Sequence, residues 1–161
     1  MAERDAFLGA WVLEDWTVKE PGKPTRHPFG TSAKGYLIYD AKGVMSATLM
    51  KEDRPCLKTA RSQMTASIGD AIELMDTEGR FNLFSSTYFR ASVQYMGYCG
   101  RYTIDESVVT HHVEAALIPD WVGKDLVRSY VLHDDLLSLT TEEHGMRDQL
   151  TWRRIASRPT A

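Results

Sequence analysis

His112 and Glu114 are the residues best suited to chemistry by type and spacing. Residues two apart on a strand point to one face, so a strand through them sets an imidazole beside a carboxylate. Such a pair can act as a tuned base, or as an acid with a raised pKa. Ala116, on the same face, leaves space for a ligand. The bland alternative is a polar face that meets solvent, or a structural ion pair. Tyr98, Tyr102 and Tyr130 add phenols. Pointed inward, a phenol can donate to a carbonyl and stabilise a developing enolate; otherwise it supplies apolar wall with its hydroxyl at a rim. Arg128 alternates with Leu126 and Tyr130. Inward, its guanidinium would hold a carboxylate or enolate in a bidentate fork; outward, it is a solvated charge. In a catalytic reading His112 is the acid or base, Glu114 orients it, and Tyr102 or Arg128 is the oxyanion partner.

Other chemistries find no residues. His111 and His112 point to opposite faces of a strand, and His112-x-Glu114 offers two ligands without a third, so no metal is expected. There is no Gly-x-Ser-x-Gly, and neither Cys56 nor Cys99 has a histidine partner in sequence. Gly-rich phosphate loops are absent, and no cofactor is expected. Two cysteines without metal or redox spacing read by default as free thiols in a reducing, cytoplasmic setting, with a Cys56–Cys99 bridge as the lesser alternative.

These side chains must be held by strands. Gly9 to Val18 is rich in aromatic and β-branched residues, with Trp11, Leu13 and Asp15 on one parity. A loop rich in Pro, Gly and charge follows from Lys19 to Lys34. Gly35–Tyr39 and Val44–Met50 flank Asp40-Ala41-Lys42-Gly43 as a hairpin, with Met45, Ala47 and Leu49 on one face. Helical spacing appears twice afterwards, over Ala60–Met75 and Phe81–Met96. Strands resume at Arg101–Ile104, Val108–Ile118, Leu126–His133, Leu136–Thr141 and Leu150–Ile155, with a polar loop predicted over Glu142–Asp148. Eight antiparallel strands in meander order close into a barrel, because closure removes the exposed edges.

Particular segments carry a resemblance to a known family. Leu8-Gly9-Ala10-Trp11 resembles the Gly-x-Trp opening of lipocalins and related calycins. Leu150-Thr151-Trp152-Arg153-Arg154 is similar to their closing strand, where an arginine often packs over the opening tryptophan. Pro28-Phe29-Gly30, Gly35–Tyr39, Asp53-Arg54-Pro55, Tyr98–Tyr102, His111–Glu114 and Pro119–Gly123 resemble, in order, segments of the lipocalin-like domain family of bacteria and fungi. The resemblance implies a mainly β fold, an eight-stranded antiparallel calycin-like barrel with a helical insertion between the third and fourth strands. The expected domain runs from 1 to 156, with the insertion at about 57–96 and a short tail at 157–161. Barrels of this kind serve as carriers, isomerases and cyclases, so the resemblance does not choose an activity.

The composition fits that frame. The 161 residues are 43% hydrophobic and 25% charged, enough for one soluble domain with a full core. With 19 basic and 22 acidic side chains the net charge is -3, so no basic field invites nucleic acid or an anionic membrane. No apolar run approaches the ~18 residues of a membrane span. The expected ligand is a small, mostly apolar organic molecule with a polar handle, in a wall containing Tyr36, Met45, Leu49, Tyr98, Trp121 and Tyr130. A cofactor-free isomerase, cyclase or lyase is the second reading. A filled barrel serving protein association is the third, and a homodimer stays open as a protein partner.

Overall fold

The computed structural model describes residues 2–56 and 89–156. The chain divides into two compact units, one of residues 1–52 with 96–161 and the other of residues 53–95. A short helix, α1 (Ala2–Phe7), precedes eight strands: β1 (Gly9–Lys19), β2 (Lys34–Tyr39), β3 (Val44–Met50), β4 (Tyr95–Asp105), β5 (Val108–Ala116), β6 (Asp125–His133), β7 (Leu136–Glu143) and β8 (Met146–Arg154). They close in sequence order into a barrel, with β8 returning antiparallel to β1.

Alternation sets the wall. In β3 the side chains of Met45, Ala47 and Leu49 are buried and those between them are not. In β4 Tyr98, Gly100 and Tyr102 are buried between exposed neighbours. The polar loop expected over Glu142–Asp148 is instead a tight hairpin: Thr141, Glu142 and Glu143 pair with Asp148, Arg147 and Met146. His144 and Gly145, at φ 50° and 77°, form its two-residue turn, whose twist matches that of the flanking strands. Polar side chains on the outside of a barrel do not oppose strand pairing, so composition misreads the segment.

One end of the barrel is plugged. Phe7 is fully buried and stacks edge-on against Tyr39 and Tyr130, at 5.4 and 4.7 Å between ring centres. Burying a phenylalanine side chain stabilises by about 1.5–3 kcal/mol. Trp11 donates its indole N–H to the Phe7 carbonyl at 2.9 Å. Arg154 lies over the Trp11 ring at 4.1 Å and donates to the carbonyls of Leu8, at 2.8 Å, and Ala6. This is the arginine over the opening tryptophan that the resemblance implies.

In the second unit, residues 89–92 are helical and Arg54 donates to the Ala91 carbonyl at 3.0 and 3.2 Å. The helix expected over Ala60–Met75 lies outside the described residues. The helix expected to run to Met96 stops earlier, because Tyr95 and Met96 already belong to β4.

Candidate functional site

A cavity of about 180 Å³ lies inside the barrel, towards the end away from Phe7. Two β-bulges shape its surroundings. In β1 the pairing with β8 slips between Leu13 and Asp15, so Glu14 is the extra residue and parity reverses after it. Asp15, expected on the face of Trp11 and Leu13, is exposed, while Trp16 and Val18 turn inward. Trp16 thereby reaches the cavity wall and donates its indole N–H to Asp148 Oδ1 at 2.7 Å. In β5 the slip falls opposite Cys99 and Gly100, leaving Glu114 unpaired. Gly100 is required there, since a Cβ on it would lie 2.0 Å from the His112 carbonyl oxygen.

Apolar wall comes from Leu37 on β2, Ala47 and Leu49 on β3, Met96 on β4, Leu139 on β7 and Leu150 on β8. Trp121, in the short helical turn Pro119–Trp121, closes on Tyr98 edge-on at 5.7 Å. The polar wall is Tyr98, Arg128, Asp148 and Trp152. Trp152 is 2% exposed. Its buried Nε1 has no hydrogen-bond partner among the described residues.

Behind Tyr98 runs a buried polar chain. His111 is fully buried. Its Nε2 bonds the Tyr39 hydroxyl at 2.7 Å and its Nδ1 bonds the Tyr98 hydroxyl at 2.9 Å. Burial pushes its pKa down to about 3, helped by the charges of Arg128 and then His112, so the ring is neutral at physiological pH. Burial also raises both tyrosines. At Tyr98 the charge and hydrogen bonding of the Arg128 guanidinium work against that rise. Arg128 Nη1 donates to Thr141 Oγ1 at 2.8 Å.

The barrel wall opens beside this cavity. Pairing of β6 with β7 runs only from His133↔Leu136 to Ser129↔Thr140. Beyond that point β6 stays paired to β5 and β7 to β8, but they leave each other. The space between holds a groove of about 300 Å³, with Asp125, Thr141 and Glu143 on its walls. Arg128 and Asp148 line both the groove and the inner cavity.

The residues singled out from sequence divide three ways. Leu49, Tyr98, Trp121 and Arg128 line the cavity together. Met45, Tyr102 and Tyr130 face inward but away from it. Met45 is core, the Tyr102 hydroxyl donates to the Asp40 carbonyl at 3.0 Å, and the Tyr130 hydroxyl donates to the Glu106 carbonyl at 2.7 Å. Tyr36, His112 and Glu114 lie on the outer side, Tyr36 at 55% exposure. The expected His112–Glu114 pair is absent. His112 instead bonds Asp125 Oδ1 at 2.7 Å and Thr103 Oγ1 at 3.0 Å, and Glu114 faces Arg101 at 3.6 Å. The mostly apolar parity of β5, carrying Val109, His111 and Val113, is the inner one.

The family model for the lipocalin-like domain matches residues 8–155. The chain belongs to the lipocalin-like domain family. No curated protein matches it. Among solved structures, this lipocalin-like domain is similar to a lipocalin-like protein from Bacteroides uniformis, 12% identical over 93% of this chain and 99% of that one, at a TM-score of 0.45. An uncharacterized protein from Bacteroides eggerthii is also 12% identical, over 92% and 99%, at 0.45. A fatty-acid-binding protein from Echinococcus granulosus is 12% identical over 94% and 99%, at 0.40.

Sequence reasoning missed His111, Tyr39, Trp152 and Asp148. For His111 a signal was present: its neighbours at two-residue spacing are valines, and a histidine on the apolar parity is the buried one. Trp16 had no such signal, because the bulge that turns it inward follows from pairing with β8.

Proposed function

We propose that this lipocalin-like domain binds a small, mostly apolar organic molecule in the inner cavity, with a polar handle held at Tyr98, Arg128 and Trp152. The carrying observation is the buried Trp152 Nε1, without a partner among the described residues, on a wall otherwise rich in leucine. A buried unpaired donor costs about 1–3 kcal/mol, and a ligand acceptor would remove that cost. Membership of the family supports ligand binding in general. The cavity is close in size to an engineered one of roughly 150 Å³ that takes benzene, which suits a one-ring molecule. Leu49 and Trp121 supply apolar contacts in this reading.

A filled barrel finds no support beside such a cavity. Acid–base catalysis finds little, since His112 and Glu114 face outward and His111 stays neutral behind two tyrosines.

Three of the four tryptophans, Trp16, Trp121 and Trp152, line the cavity, so intrinsic fluorescence reports its occupation. Titration with ethylbenzene is expected to give a saturable change that Ala47→Leu, which fills the cavity, abolishes. Saturation unaltered by Ala47→Leu would place binding elsewhere and defeat the reading.

A further inference from the structure

The protons of the Tyr39–His111–Tyr98 chain can be counted. A neutral imidazole carries one N–H, so two arrangements exist. If Nε2 carries it, His111 donates to Tyr39 and Tyr98 donates to Nδ1, which leaves the Tyr39 proton over. Tyr39 is 1% exposed among Phe7, Tyr102 and His111. Among the described residues no side chain but His111 bonds its hydroxyl. That arrangement strands a buried donor. If Nδ1 carries the proton, Tyr39 donates to Nε2 and His111 donates to the Tyr98 oxygen. The proton left over is then that of Tyr98, which faces the cavity. The second arrangement strands nothing once a ligand acceptor is present.

The cavity wall thus presents the Tyr98 O–H, the Trp152 N–H and the Arg128 guanidinium. Asp148 is the carboxylate among its described lining residues. One of its oxygens is already held by Trp16, and its charge offsets that of Arg128. We propose that the cavity selects a neutral ligand whose handle is a hydrogen-bond acceptor, a ketone or aldehyde carbonyl on a one-ring skeleton. This rests on the binding reading above and names its ligand class. Access through the gap between β6 and β7 carries the same bias. Among the described residues its walls hold the carboxylates of Asp125, Glu143 and Asp148 and the guanidinium of Arg128, a setting that repels anions.

Three probes of like size separate the possibilities: acetophenone, ethylbenzene and benzoate, followed by tryptophan fluorescence. Acetophenone is expected to bind roughly tenfold or more tighter than ethylbenzene, the scale of pairing a stranded donor, and tighter than benzoate. Tyr98→Phe is expected to bring the acetophenone-to-ethylbenzene ratio towards one. Independently, ¹⁵N NMR of labelled histidine should show His111 protonated at Nδ1 and bare at Nε2. Equal affinity for acetophenone and ethylbenzene, a preference for benzoate, or a proton on Nε2 would each overturn the polarity proposal while leaving cavity binding in place. No response to any of the three probes would overturn the binding reading and this proposal with it.

Discussion

His111 makes the fold sensitive to acid in a way that one substitution isolates. Burial holds its folded pKa at about 3 against an ordinary value of 6.5. Below 6.5 the unfolded chain takes up a proton that the folded chain refuses. The stability is therefore fully present above 6.5 and is lost as the pH falls towards 3. Each unit is worth about 1.4 kcal/mol, so roughly 3 kcal/mol goes by pH 4 and about 5 kcal/mol over the full span. That is a large share of a typical total of about 5–15 kcal/mol. Glu14, Glu20 and Glu52, lowered by exposed basic partners, also weaken the fold in acid, but equally in any His111 variant. His111→Gln should cost about 1–3 kcal/mol at pH 7, through weakened bonds to Tyr39 and Tyr98. Urea denaturation at pH 7, 5.5 and 4, with the slope checked for constancy, should show the variant losing roughly 3 kcal/mol less than the parent, so that the gap closes or inverts. Parallel losses in the two proteins would refute the assignment of a neutral, buried His111.

Removal of the arginine over the opening tryptophan, as Arg154→Ala, should cost about 2–4 kcal/mol, since charge-assisted bonds to Leu8 and Ala6 and a cation–π contact go together; thermal melting checks it. Gly100→Ala should destabilise by about 3 kcal/mol or more, because its Cβ meets backbone at 2.0 Å. Gly123→Ala, with open space but φ of +76°, should cost only about 1 kcal/mol, and the order of the two is the readout. His112→Ala and Glu114→Ala, on the outer wall, should each shift stability by less than about 1 kcal/mol and leave ethylbenzene affinity unchanged.

The strand order and the barrel were legible in the sequence because alternation is a local property. Met45, Ala47 and Leu49 announce their face without reference to the rest of the chain. The errors arise where a neighbouring strand decides. Trp16 faces inward only because Glu14 bulges out against β8, and the hairpin through His144 is a strand pair whose outward residues happen to be polar. The site was half legible for the same reason. Tyr98, Trp121, Leu49 and Arg128 have the right residue types and do meet in one cavity. His112 drew attention by its spacing to Glu114, yet that spacing describes the outer wall. The residue that organises the interior is the one before it, His111, with valines two positions away on either side. Trp152 and Asp148 belong to segments that read as closing strand and polar loop, and only the closure of β8 on β1 and β7 brings them inside.

The most direct test is the position of a bound probe. With acetophenone on isotope-labelled protein, NMR contacts are predicted from its methyl and ring protons to the Leu139 and Leu150 methyls and the Trp152 indole N–H. Contacts confined to exposed outer-wall side chains such as Val127 and Val131, with none to Trp152, would contradict binding inside the barrel.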